Sequence, residues 1–251
     1  MQALFDELRK HAQEVATELG VPSFYARYED EVRKSLHYLN SDETLTQLHT
    51  YVADQIEDDF GHGHRHALLV TRDTGALVLI LARTFDLPEG ILPFIMRCAQ
   101  AAGLLHDIRR KESNHAAKSA ETARQVLTQF LFSWEEIEDI AQAIANHEAF
   151  KTPERVSNRT GQLISDCLYD ADKFRWGPDN FTDTVWYMAS FYNVPIERFA
   201  DGYDHGIDAI RRIKGSFRTS IGKEYGPEMI DMGLTIGQRV IQLLRSELAR
   251  R

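Results

Sequence analysis

The stretch ILPFIMRCAQAAGLLHDI, residues 91–108, is apolar on nearly every side. A helix of that kind has no face to offer water, so it belongs in the middle of a domain. RHALLVTRDTGALVLILARTF, residues 65–85, reads as a second long and mostly buried helix. Other segments must then supply the amphipathic helices that cover these two. FDELRKHAQEVATEL repeats apolar residues at three- and four-residue intervals and stops at Gly20, a C-cap glycine. The region around residues 24–38 reads as a second helix, and a third starts near Asn40 and runs to about Asp58. Glu43 is placed there to complete a capping box. NHAAKSAETARQVLTQFL is amphipathic, and Ser133-Trp-Glu-Glu136 is a capping box that opens WEEIEDIAQAIANH. TGQLISDCLYDADKF forms the next helix. Residues 150–160 are a loop, RWGPDN (175–180) is a turn, and after Phe181 the helices shorten. IDMGLTIGQRVIQLLRSEL closes the chain with a long amphipathic helix. No segment carries a strand period and no repeat interrupts the pattern. The expected fold is all-α, a helical bundle without significant sheet, in one domain spanning residues 1–251.

Composition narrows the function classes. The net charge of −9 argues against general nucleic-acid binding, which needs a basic face. A small phosphorylated ligand in a locally basic pocket stays compatible with it. Cys98 and Cys167 lie far apart in apolar stretches, so both are expected in the core rather than in a disulfide or a thiolate zinc site. The N-terminus lacks a signal-peptide h-region, and the longest apolar run, ALVLILA (76–82), falls far short of the roughly 20 residues of a membrane span. The expectation is a cytoplasmic protein without membrane contact. Self-association to a homo-oligomer is left open.

Against this apolar background the ionisable residues stand out. His106-Asp107 sits at the tip of the most buried helix, where a carboxylate must be paired or coordinated. A salt bridge to a nearby arginine would satisfy it. Yet His66, His147 and Asp172 also lie on or beside strongly apolar helices. Imidazole and carboxylate together suit Mn, Fe, Ni, Co, Mg or Zn as a divalent ion. The segment FGHGHRH (60–66) adds His62 and His64. Gly61 and Gly63 disfavour helix before His64, so the helix is expected to start there and carry His66 inward. His62 is then a residue at the pocket edge and His64 is exposed.

The order His66, His106-Asp107, Asp172 resembles the H…HD…D signature of the HD-domain superfamily of metal-dependent phosphohydrolases. His62-Gly-His-Arg-His66-Ala-Leu-Leu-Val70 has the spacing of the family's first motif. Leu105-His106-Asp107-Ile108 is similar to its second, and Asp170-Ala-Asp172-Lys-Phe174 to its last. The similarity covers about residues 50–190, with N-terminal and C-terminal helices packed on that core, as in single-domain bacterial members. It implies His66, His106, Asp107 and Asp172 as metal ligands. The two-metal members of the family use an order that His115 and His147 would extend here, so one ion or two per chain are both compatible. Two departures stand against parts of the match. Arg110 occupies the place where family nucleotidases and guanosine tetraphosphate hydrolases carry an acidic residue, and Gly63 replaces an aspartate common in relatives.

The resemblance implies hydrolysis of a phosphoester or phosphoanhydride of a small, nucleotide-like substrate by a metal-activated water. Asp107, His115 and Glu112 are the candidate catalytic residues, with Asp170 as a further proton acceptor or donor. Arg109, Arg110, Lys118 and Lys173 form a cationic rim suited to phosphate oxygens, and His147 and His62 join them in the substrate-binding set. Arg109 and Arg110 share the His106 face if the helix continues past it. Two other readings compete: an HD-fold di-iron oxygenase, and a non-catalytic HD-type ligand-binding module. Trp134 and Trp186 are expected in helix packing, while Trp176 follows Asp172 by one turn and could line a pocket mouth.

Overall fold

The computed structural model describes residues 2–56, 61–85, 87, 88 and 90–250. These form α1 (Gln2–Leu19), α2 (Ser23–Arg27), α3 (Glu29–Ser41), α4 (Glu43–Gln55), α5 (His64–Leu81) and α6 (Leu92–Leu105). There follow α7 (His115–Leu127), α8 (Trp134–Ala145), α9 (Arg159–Phe174), α10 (Val185–Phe191), α11 (Ile196–Ile213) and α12 (Ser220–Ala249). Among the described residues there is no strand, so the fold is all-α.

Local chemistry sets the helix ends. Gly20 takes φ +80° after α1, a left-handed position that costs glycine no Cβ clash. The Ser133 amide donates to Glu136 at 2.6 Å and the Glu136 amide donates to Ser133 Oγ, which closes the capping box of α8. Gly63 is the N-cap of α5, so the helix begins at His64. Other boundaries differ from expectation. The cap of α4 is Asp42, whose Oδ1 accepts from the Leu45 amide at 3.0 Å, while Asn40 belongs to the last turn of α3. α4 ends at Gln55, with extended Ile56 as its C-cap, short of the expected end near Asp58, a residue outside the described ones. The region 24–38 is two helices, separated at Tyr28. Helices do not simply shorten after Phe181, because α11 has 18 residues. The last helix begins at Ser220 rather than Ile230 and tolerates Pro227 within it.

Helices α5, α6, α8 and α9 make the centre. α5 packs on α6 and α9, α6 on α8 and α9, and α8 on α9. Fully buried Leu77, Leu104, Leu105, Ile144, Ile164 and Leu168 fill the space between them. α5 and α6 approach closely because Gly103 faces Thr71: a Cβ on Gly103 would lie 2.6 Å from the Thr71 Cα. Cys98 and Cys167 are buried and unpaired. Trp186 is buried, but Trp134 is 69% exposed, because the buried stripe of α8 begins only at Ile137.

The connection between α8 and α9 decides where the site forms. It runs back along α8, with Asn146 Nδ2 donating to the Glu154 carbonyl at 3.0 Å. The α9 cap Asn158 reaches Asp139, in the first half of α8, at 2.8 Å. α9 therefore travels parallel to α8, and both end at the same end of the bundle.

Candidate metal centre

Five elements bring a histidine or an aspartate to that end. His66 lies in the first turn of α5, His106 caps α6 and Asp107 follows it. His115 opens α7, His147 follows α8, and Asp172 sits in the last turn of α9. Three of these elements arrive by their C-termini, where unpaired carbonyls leave partial negative charge that favours a cation. Two backbone carbonyls at these helix ends orient the rings. His106 Nδ1 donates to the Gly103 carbonyl at 2.8 Å, and His147 Nδ1 donates to the Ile144 carbonyl at 2.6 Å. A carbonyl only accepts, so Nδ1 carries the proton and each Nε2 turns a bare lone pair inward.

The inward atoms converge. His66 Nε2 is 3.2 Å from His106 Nε2, 3.4 Å from Asp172 Oδ1 and 3.7 Å from Asp107 Oδ2. His106 Nε2 lies 3.5 Å from Asp107 Oδ2 and 3.9 Å from Asp172 Oδ1. The other oxygen of Asp107 faces a second pair, with His147 Nε2 at 3.5 Å and His115 Nε2 at 3.6 Å. Three overlapping groups thus keep their ligand atoms within 4.8 Å of one another: His62, His66, Asp107; His66, His106, Asp172; and Asp107, His115, His147.

Burial supplies the electrostatics. It pushes His66 and His115 down to about 4 and lowers His106 as well, so these rings are neutral near pH 7 and their lone pairs are available. Burial opposes the charge on Asp172, but the adjacent Lys173 ammonium holds its carboxyl well below the usual range. Asp107 Oδ1 is buried and accepts no hydrogen bond, a costly state for a carboxylate oxygen. Facing lone pairs and an orphaned anionic oxygen are what a divalent cation satisfies. The nitrogen and oxygen donors therefore fit such an ion.

His66, Asp107, His115, His147 and Asp172 line a cavity of about 410 Å³, while His106 is fully buried outside its lining. Arg110, Glu148, Phe150, Lys173, Arg175, Trp176 and Asn180 contribute to its walls. His62 is at its edge, with Nδ1 3.0 Å from Asp107 Oδ2. Lys173 is buried beside Asp172, with Nζ 5.0 Å above the Tyr169 ring and 5.8 Å from that of Trp176.

Other expected residues lie elsewhere. α6 ends at Leu105 and tight turns follow, with the Arg110 amide donating to the Asp107 carbonyl at 2.9 Å. Arg109 therefore turns away from His106, is exposed, and donates from Nε to Thr122 Oγ1 at 3.0 Å. Glu112 and Lys118 are exposed and pair with each other at 2.8 Å, outside the cavity lining. Asp170 points out of the site: its oxygens accept from the Arg218 and Thr219 amides, each at 2.8 Å, and so tie α9 to the start of α12. His64 is half-buried rather than exposed, stacked on His49 with centroids 4.8 Å apart.

Arg175 and Glu148 line the cavity without having been anticipated. Arg175 is buried, and its Nη2 donates to Asp73 Oδ2 at 2.6 Å. Its position three residues after Asp172 is the available signal, since helical spacing turns both toward one face. Glu148 had only its adjacency to His147.

No protein-family model, curated protein or solved structure matches this chain. Among the described residues no helix is long and apolar enough to cross a membrane.

Proposed function

We propose that the chain is an HD-type metal-dependent phosphohydrolase that cleaves an ester or anhydride of a small phosphorylated substrate. One observation carries this reading: His66, Asp107 and Asp172 line a cavity whose walls also bear Lys173 and Arg110, and fully buried His106 turns its Nε2 to the same three side chains. His66, His106, Asp107 and Asp172 would hold the divalent ion. When bound, such an ion lowers the pKa of a coordinated water and polarises a phosphoryl oxygen.

The chain's own residues supply the rest. Lys173 offers a desolvated ammonium to phosphate oxygens, and Trp176 offers an apolar wall beside it. His62 holds a proton at Nδ1 against Asp107 Oδ2. It also lines the smaller pocket that opens past Ile108 and Lys111, which makes it the group best placed to pass a proton outward. Glu112, exposed and paired with Lys118, has no part in this scheme.

The test is metal analysis of purified protein combined with a phosphoester screen across several divalent ions, on wild type and Asp107→Ala. Wild type should bind metal and turn over, and the variant should lose both. Full metal content and activity in Asp107→Ala would falsify the reading. Metal uptake without turnover on any phosphoester would point to a ligand-binding module instead. His66, His106, Asp107, His115, His147 and Asp172 would also suit a di-iron oxygenase; tightly bound iron with a mixed-valence EPR signal would favour that alternative.

A further inference from the structure

The group Asp107, His115, His147 has the makings of a second ion site, yet another cation already touches it. The turn after α6 places Arg110 beside Asp107, and its long side chain reaches across to α7. Arg110 Nη1 lies 2.8 Å from His115 Nε2 and 3.2 Å from Nδ1. Its Nε lies 3.8 Å from Asp107 Oδ2 and, though buried, makes no hydrogen bond. The guanidinium thus contacts the same His115 nitrogen that faces Asp107 Oδ1 at 3.6 Å.

Three physical facts make this an exclusion rather than a neighbourly contact. A guanidinium only donates, so the His115 lone pair it meets is engaged and cannot ligate at the same time. Arginine keeps its charge at any physiological pH, so it cannot step aside by deprotonation. A divalent ion ligated by His115 Nε2 would have to occupy the place of the guanidinium nitrogen that lies 2.8 Å from it, where like charge and overlap both oppose it. The short interval from Asp107 to His115 keeps both ends of this contact in one tight segment, so it forms whenever the turn forms.

We infer that Arg110 serves as the second cation of the centre. The wild-type chain takes one divalent ion, at His66, His106, Asp107 and Asp172, and the Arg110 guanidinium occupies the Asp107–His115–His147 side in place of another. This rests on the metal reading of the site. Removal of the guanidinium opens a second site for a transition-metal dication.

The experiment is Mn²⁺ titration calorimetry with metal quantification and EPR on the full chain. Wild type should bind one Mn²⁺. Arg110→Gln should bind two, with an exchange-coupled EPR signal that wild type lacks. Arg110→Met keeps the side-chain volume and should behave alike, which protects the result against a folding defect in either variant; circular dichroism identifies the folded one. Adding His147→Ala to Arg110→Gln should return the count to one, which places the gained ion in this triad. Two ions in wild type, or one ion in wild type and in a folded Arg110 variant, would overturn the inference and leave the metal reading intact. No ion in wild type would overturn the metal reading and this inference with it.

Discussion

His106 and His147 show how a backbone carbonyl selects chemistry on the far side of a ring. With Nδ1–H committed to Gly103 or Ile144, the inner nitrogen has only a lone pair to offer. His66 is held neutral near pH 7 by burial, which pushes it down to about 4 from 6.5 in spite of Asp172. The sign of the consequence follows from linkage. A folded-state value below the unfolded one means that the unfolded chain holds more protons between the two. Stability contributed by His66 is therefore complete above about pH 6.5 and is lost as pH falls through about 4. The gap corresponds to ~3 kcal/mol as an order of magnitude. Urea midpoints of chelator-treated protein should fall between pH 7 and pH 5, and His66→Asn should lose part of that slope. Equal slopes in the two proteins would show that His66 makes no such contribution.

Among the elements, the contact of α5 with α6 carries the most consequence. Gly103 admits the α5 backbone, and its carbonyl also holds His106. In an exposed helix, Gly→Ala gains up to ~1 kcal/mol from propensity. Here the new Cβ meets backbone at 2.6 Å, so overpacking of ~1–3 kcal/mol decides the sign. Gly103→Ala should destabilise the chain and, by shifting the carbonyl behind His106, weaken metal binding roughly 10–100-fold. Gly202 in α11 has nothing within 4 Å of a built Cβ, so Gly202→Ala should stabilise slightly and leave metal binding unchanged. Denaturant unfolding and metal titration of both variants check this; equal behaviour of the two would remove the packing argument.

The whole molecule gathers the ends of five helices around one set of ligands, so an ion bound there should stabilise all of them together. At a free metal concentration of about 100 times Kd, binding to the folded state alone contributes about 2.7 kcal/mol. For a chain of this length that corresponds to a rise in Tm of roughly 5–10 °C. Thermal unfolding with Mn²⁺, then with excess chelator, should show the rise and its reversal. An unchanged Tm at saturating Mn²⁺ would mean that the ion does not bridge these helices. The negative net charge of −9 adds a general attraction for cations, which raised salt should weaken.

Much of this was legible in one dimension, for a physical reason. Helical periodicity, the Ser133 capping box, Gly20 and the start of α5 at His64 depend on neighbours within a turn or two, and the sequence by itself determined them. The apolar setting of His66, His106, Asp107 and Asp172 marked them out in the same way. Beyond a helix end the backbone is free to turn, and there only tertiary structure decided the outcome. The turns after Leu105 sent Arg109 to Thr122 and Arg110 to His115, although the residues are adjacent. Asp170 and Asp172, two positions apart on α9, face different partners because α12 covers one side of that helix and α5 lies on another. Local rules place a side chain on its own helix; what stands opposite depends on packing between segments far apart in the chain, and that packing brought Asp107 among the histidines.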